Sequence, residues 1–179
     1  KVMCGRFSPI SLFLRRQQFE FPAILTYHRV FDAPKDYPMT RSVINATPDE
    51  FEDQLRYIKK NFEATNFLRL RNNMRNDHSI ARNSVIITFD DGYFDNYQYA
   101  LPLLREYGLT ATVFVSTDYI DSGWPFWVDL LAFQIFTMPP GNLSILDGQH
   151  TFTVDETNRN DVRVGIGMLC STRSPEEHD

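Results

Sequence analysis

Apolar runs bounded by turn-forming residues predict the strands of this chain. Residues 21–30 (FPAILTYHRV) form a β-rich apolar run that predicts a buried strand. Residues 84–89 (SVIITF) are apolar without alternation, which is typical of a central strand in a parallel sheet. Residues 110–115 (TATVFV) predict a further strand. A short strand is predicted at Phe67-Leu68, followed by a polar helix or loop that extends to residue 83.

Two helices are predicted between these strands. The segment TPDE at 47–50 is a capping box with Pro in the first helical position, and the apolar face that follows predicts a helix ending near residues 61–63. Residues 95–107 show a second helical pattern. Pro102 predicts that its regular part begins there, and Gly108 predicts its end.

The last third of the chain predicts a helix, a hairpin and another helix. The helices are expected at residues 128–136 and 156–170, and the hairpin at residues 143–154 with its turn at Asp147-Gly148. A second capping box begins at Ser174, and the sequence stops before a helix could follow it. We interpret it as an indication that the natural chain continues.

The alternation of strands and helices predicts an α/β fold with parallel strands, in which active sites lie at the carboxyl ends of strands. The run at 84–89 ends in Asp90-Asp91-Gly92. Adjacent carboxylates there can divide the work, one binding a divalent cation and the other accepting a proton. The alternative is a plain Asp-Gly turn. The strand before the pair and the helix after it favour the site, because they are not a hairpin context.

The charge balance argues against nucleic acid or an anionic membrane surface as a partner. The chain has 18 basic and 23 acidic residues, for a net charge of -5. Its hydrophobic content of 42% excludes disorder, and no apolar run reaches the roughly 18 residues of a membrane span. No clear signal peptide is present. Cys4 and Cys170 are compatible with one disulfide or with two free thiols.

Four segments in order resemble the polysaccharide deacetylases, which are NodB-homology domains of a carbohydrate esterase family. TFDDG at 88–92, with YFDNY and LTATVFV after it, resembles the first signature motif of the family. LTYHRV at 25–30 and TPDEFEDQLRYIKKNF at 47–62 are similar to its first strand and the next helix. WPFWVDLLAF and the predicted hairpin resemble an insertion found in a subset. The likeness is good over residues 21–133 and loose over 134–179.

This resemblance implies an incomplete, distorted (β/α) barrel. Residues 1–20 would be an N-terminal extension, and residues 21–179 the N-terminal part of a deacetylase domain with a loop and hairpin insertion near residues 121–155. The C-terminal part of the domain would be missing.

The resemblance also implies roles for the two aspartates. Asp90 matches the catalytic base and Asp91 the aspartate that binds a divalent metal, Zn²⁺ being the expected ion. The two further ligands of the family come from a His-Ser/Thr-x-x-His motif, which this sequence lacks. A complete domain would hydrolyse N-acetyl groups of an amino-sugar polysaccharide, whereas this chain alone is expected to be inactive. That substrate class favours the cell envelope or secretion.

His28 and Trp124 are weaker candidates for the wall of the pocket. His28 ends the first predicted strand, but a histidine buried in the core explains it equally well. Trp124 could stack on sugar rings or simply anchor its loop. Tyr93 and Asp95 follow the motif and are candidates to support Asp91.

Two other functions compete with deacetylation. The first is Mg²⁺-dependent phosphoryl transfer by Asp90-Asp91, which the acidic charge and the lack of a GxxxxGK[ST] loop disfavour. The second is a non-catalytic, truncated domain that binds glycan. The sequence leaves open which polymer is the substrate, which metal is preferred and which oligomeric state the protein adopts.

Overall fold

The computed structural model describes residues 22–76, 83–120, 122–145 and 148–171. The contacts divide the chain into two compact units. Unit 1 falls within Lys1–Asp32 and Val43–Thr117, and unit 2 within Ala33–Ser42 and Asp118–Asp179. The predicted assignment of both to one deacetylase domain stays a prediction.

The elements follow one another in the order strand, strand, strand, helix and then in broad alternation. They are β1 (Ala23–Tyr27), β2 (Arg29–Val30), β3 (Ile44–Ala46), α1 (Pro48–Asn61), β4 (Glu63–Thr65), α2 (Phe67–Arg75), β5 (Ser84–Phe89), a π-helical turn (Asn96–Ala100), α3 (Leu101–Tyr107), β6 (Ala111–Val113), α4 (Thr117–Ile120), α5 (Trp127–Thr137), β7 (Gly141–Ile145), β8 (His150–Val154) and α6 (Arg159–Ser171).

The strand β5 is the centre of a four-stranded parallel sheet in unit 1. It pairs with β1 along one edge. Its other edge is shared by β4, which pairs with the first half of β5, and β6, which pairs with the second half. All six residues of β5 are buried, as its unbroken apolar run predicts. The α/β fold is therefore confirmed, while the strands within the described residues do not close into a barrel.

The strand predicted at residues 21–30 is confirmed in part, but it is not continuous. The structure has β1 and β2 separated by His28, and β2 pairs with β3 in a second sheet. The Asn45 side chain explains the break, because its Oδ1 accepts hydrogen bonds from the His28 and Arg29 backbone N–H groups at 2.6 and 3.4 Å. Burial alternates along β1, and Ile24 is exposed, since only one face of this strand packs on the core.

The helix α1 begins as its sequence predicts. Both hydrogen bonds of the capping box form between Thr47 and Glu50. Its buried face carries Phe51, whose ring meets the rings of Tyr27 and Phe89 at centroid distances of 5.1 and 5.8 Å. Tyr27 is the last residue of β1 and Phe89 the last of β5. These three rings therefore pack beneath the carboxyl ends of the two strands.

The predicted strand at Phe67-Leu68 is wrong, because α2 begins at Phe67. The side chain of Asn66 accepts a hydrogen bond from the Arg69 N–H at 2.9 Å and caps the helix. The strand at this point of the chain is β4, which ends two residues before Phe67 and pairs with β5. In the sequence, β4 and the Asn66 cap are adjacent, so the pattern does not show where the strand ends and the helix begins.

The predicted helix at residues 95–107 is confirmed with the interruption that Pro102 implies. A π-helical turn comes first, and α3 then begins at Leu101 with Pro102 in its first turn. Gly108 ends the helix in the left-handed conformation with φ of 65°. The strand after it is shorter than predicted, since only Ala111–Val113 pairs with β5.

Unit 2 contains the predicted helices and hairpin of the last third of the chain. The strands β7 and β8 are antiparallel, and a small core forms from Ile135 of α5, Val154 of β8, and Val162 and Ile166 of α6. The described residues do not include the predicted turn residue Asp147, the capping box at Ser174, Cys4 or the extension at residues 1–20. None of the helices in the described part of the chain is long and apolar enough to cross a membrane.

Candidate active site at the end of the central strand

Asp90 and Asp91 follow directly after β5, at the carboxyl edge of the parallel sheet. The Asp90 N–H donates a hydrogen bond to the Tyr27 carbonyl oxygen at 2.8 Å, which fixes its backbone to the end of β1. Both aspartates are half-buried. The predicted strand-end placement of the pair is confirmed, and the two carboxylates occupy the position where α/β folds place their chemistry.

The backbone turns sharply at Asp91 and Gly92. Their φ angles are 71° and 77°, so two consecutive residues adopt the left-handed conformation. Gly92 adopts it at little cost, but a left-handed residue with a Cβ costs about 1–2 kcal/mol. The Asp91 carbonyl oxygen accepts a hydrogen bond from the Ser116 N–H at 3.4 Å. Strain at a non-glycine residue persists when the surrounding structure holds it, and it is common at functional sites.

Gly92→Ala is expected to destabilise the chain by more than the left-handed conformation alone, which costs about 1–2 kcal/mol. A Cβ on Gly92 would lie 3.0 Å from Val115 Cγ1. Gly108→Ala is the matched control, since Gly108 has φ of +65° and no atom within 4 Å of its added Cβ. Urea denaturation of both variants measures the difference. Equal losses of unfolding free energy would show that the contact with Val115 is unimportant.

A buried ion pair joins the segment that follows this turn to β2. Arg29 Nε donates to Asp95 Oδ2 at 2.7 Å, and the two side chains are only 11% and 5% exposed. The other carboxylate oxygen, Asp95 Oδ1, accepts from the Val30 N–H at 3.3 Å. Burial raises the pKa of the Asp95 carboxyl above its ordinary value, although Arg29 and the Val30 N–H favour its charged form.

The guanidinium of Arg29 also packs between two aromatic rings. Its Cζ lies 4.6 Å from the centroid of Tyr93 and 5.1 Å from that of Phe31. The sequence suggested Tyr93 and Asp95 as support for Asp91 but did not single out Arg29, which lies 66 residues away from Asp95. Its one signal was a charged residue inside an apolar run, which in a buried strand calls for a partner.

His28 lies at the same edge of the sheet as Asp90. The register places Tyr27 opposite Phe89, so His28 and Asp90 are the next positions along neighbouring strands. His28 is half-buried. Trp124 belongs to unit 2 and its side chain is 70% exposed. A part in the pocket wall stays a prediction for both residues.

The described residues do not provide a complete metal site. Zinc sites in enzymes use about three protein ligands and a water. Among the residues that the structure describes, no group of three or more His, Cys, Asp or Glu side chains is placed to hold an ion. Asp90 and Asp91 are hard oxygen donors suited to a divalent cation. They therefore fit a part of such a site.

The comparisons with known proteins agree with this placement. A family model described as polysaccharide deacetylase matches residues 77–136, a range that contains Asp90, Asp91 and Asp95. The predicted resemblance to the polysaccharide deacetylases is confirmed. YxkH of Bacillus subtilis (strain 168), a curated protein named for the same family, is 31% identical over 93 residues, which are 51% of this chain and 30% of YxkH.

Two solved structures share the fold. The Streptococcus pyogenes deacetylase PplD, solved in complex with acetate, matches with a TM-score of 0.50 and 26% sequence identity. The match covers 66% of this chain and 52% of the PplD chain. IcaB from Ammonifex degensii has a TM-score of 0.50 and 24% identity, with 60% and 43% coverage. The chain thus spans 30% of YxkH and about half of PplD.

Proposed function

We propose that the turn at Asp90-Asp91 is one part of the active site of a hydrolase that removes N-acetyl groups from an amino-sugar polysaccharide. The observation that carries this proposal is the position of the pair. Two adjacent carboxylates are held at the carboxyl end of the central parallel strand, inside the segment that matches the deacetylase family model. The Asp90 N–H bond to the Tyr27 carbonyl oxygen continues the ladder between β1 and β5 and fixes the backbone of the first aspartate.

In this proposal Asp90 is the general base. Its carboxylate takes a proton from a water molecule as the water oxygen attacks the carbonyl carbon of the acetamide. The C–N bond then breaks as the proton that Asp90 took is returned to the leaving nitrogen, so that acetic acid leaves as acetate and the sugar keeps a free amine. The backbone of Asp90 is tied to β1, so its carboxylate starts from a fixed point beside the substrate.

Asp91 is the proposed metal ligand, and Zn²⁺ is the expected ion. When bound, such an ion polarises the carbonyl group and the attacking water. The His-Ser/Thr-x-x-His motif that would supply two histidine ligands does not occur in these 179 residues. We therefore propose that residues outside this sequence complete the site and a barrel-like domain, and that the 179 residues alone bind Zn²⁺ weakly and release no acetate.

The test uses this chain continued through a downstream segment that carries a His-Ser/Thr-x-x-His motif, hereafter the extended protein. Incubated with an N-acetylglucosamine oligomer, the extended protein is expected to release acetate. A chelator should stop the release, and added Zn²⁺ should restore it. Acetate release that persists after complete removal of metal would contradict the role of Asp91.

Two controls separate the competing functions. Release of phosphate from a phosphate ester, without release of acetate, would favour phosphoryl transfer. Binding of the oligomer with neither product would favour a non-catalytic glycan-binding domain. Titration of the 179-residue chain with Zn²⁺ is expected to show weak binding, and tight stoichiometric binding would refute the proposed ligand set.

A further inference from the structure

We propose that the buried pair of Arg29 and Asp95, which we call the Arg29–Asp95 clamp, positions the carboxylate of Asp91. This inference rests on the proposed function, because it assigns Asp91 a task that depends on its orientation. Arg29 and Asp95 are positioning residues in this scheme, and neither touches the substrate.

The turn at Asp91 and Gly92 is held at its first end by β1. The Asp90 N–H donates to the Tyr27 carbonyl oxygen at 2.8 Å. Since β1 is paired with β5 along its whole length, this bond extends a rigid ladder to the residue just before Asp91. The start of the turn is therefore fixed to the sheet.

The second end of the turn is held by β2. Both carboxylate oxygens of Asp95 are occupied, one by Arg29 Nε at 2.7 Å and the other by the Val30 N–H at 3.3 Å. The guanidinium of Arg29 also lies over the ring of Tyr93, the residue directly after Gly92. Tyr93 and Asp95 are both buried. The segment that leaves the turn is thus fixed by charge, by hydrogen bonds and by packing.

Only Asp91 and Gly92 lie between these two anchors, and both have positive φ. β1 and β2 are separated only by His28, so one short stretch of chain holds both ends of the turn. Apart from these anchors Asp91 is held only by the long bond from the Ser116 N–H to its carbonyl oxygen at 3.4 Å among the backbone hydrogen bonds of the described residues. If the second anchor loosens, we expect Asp91 to relax toward an ordinary negative φ. Its carboxylate would then point elsewhere while Asp90 stays in place.

The contacts of Arg29 make the clamp sensitive to the shape of the cation as well as to its charge. Arg29 presents a planar group that pairs with Asp95 and packs on Tyr93 at once, and a lysine cannot do both. Arg29→Lys keeps the charge but loses this geometry. Asp95→Asn keeps the size and an acceptor oxygen for the Val30 N–H but removes the charge. The two substitutions therefore weaken the clamp in different ways, and neither leaves a large cavity in the place of the original side chain.

The first experiment measures Zn²⁺ affinity by calorimetry in the extended protein, together with kcat, KM and the unfolding temperature. Residues that orient a metal ligand typically change metal affinity by about 10- to 100-fold when altered. We expect a loss in that range for Arg29→Lys and Asp95→Asn, with KM for the oligomer little changed and kcat largely restored by saturating Zn²⁺. Arg69→Lys is the control, since Arg69 forms an exposed pair with Glu63 at 3.5 Å.

The second experiment needs no activity and uses the 179-residue chain. In amide NMR spectra, Arg29→Lys and Asp95→Asn are expected to shift the signals of Asp91 and Gly92 strongly, whereas Arg69→Lys leaves them in place. Unmoved signals would overturn the clamp.

The outcomes for the clamp and for the proposed function can be told apart. Should the unmodified extended protein release no acetate, the proposed function fails, yet the NMR result still decides whether the clamp holds the turn. Should Arg29→Lys fail to fold, Asp95→Asn alone decides both experiments.

Discussion

Asp90→Asn in the extended protein is expected to lower the rate of acetate release by about 100- to 10,000-fold, the usual contribution of a positioned general base. Asparagine has the size of aspartate but cannot accept a proton from the attacking water. The Asp90 backbone N–H bond to Tyr27 does not involve the side chain, so the fold should persist. The measurement is acetate release at saturating oligomer and Zn²⁺, with circular dichroism as a check of folding.

Asp53→Asn provides the matched control for this experiment. Asp53 is an exposed aspartate of α1 that pairs with Arg56 on the helix surface. Its substitution should leave the rate unchanged, because exposed ion pairs contribute little. An Asp90→Asn protein as fast as the Asp53→Asn protein would rule out Asp90 as the base, whatever the role of Asp91.

Phe51→Ala is expected to cost about 3–5 kcal/mol of unfolding free energy, as large-to-small changes of a buried phenylalanine do. Phe51 is fully buried, and its ring contacts Tyr27 and Phe89. The cavity would open beneath the ends of β1 and β5, directly under the residues that lead into the site. Urea denaturation followed by circular dichroism gives the change.

Phe94→Ala is the control for the loss of a phenyl ring. The Phe94 side chain is 71% exposed, and it lies two residues after Gly92. We expect a change of about 0.5 kcal/mol or less, as for most surface positions. If both substitutions cost the same, the ring of Phe51 does not belong to the core that the structure shows.

The parts of the fold that were predicted correctly depend on neighbouring residues in the sequence. The capping box of α1 forms within four residues. The burial of β5 follows from its continuous apolar run, and Gly108 supplies the conformation that ends α3. The position of Asp90-Asp91 followed in the same way, because it requires only that a strand ends there.

Other features were missed because they depend on contacts between distant segments. The break at His28 is caused by the Asn45 side chain, 17 residues away, and no local pattern indicates it. The partner of Asp95 is Arg29, which only the parallel pairing of β1 with β5 brings near. The positive φ of Asp91 was missed as well. An Asp-Gly pair permits that conformation, but the surrounding chain decides whether it forms.

The pairing of β1 with β5 has a consequence for how the molecule folds during synthesis. Ala23 is opposite Val85 in this ladder, so β1 leaves the ribosome well before its partner exists. Pairings between such distant segments form slowly, because a long loop must close first. Tyr27 and Arg29 come from the early segment, whereas Asp90 and Asp95 come from the late one. Neither anchor of the turn at Asp91 can therefore form before β5 and Asp95 have been synthesised.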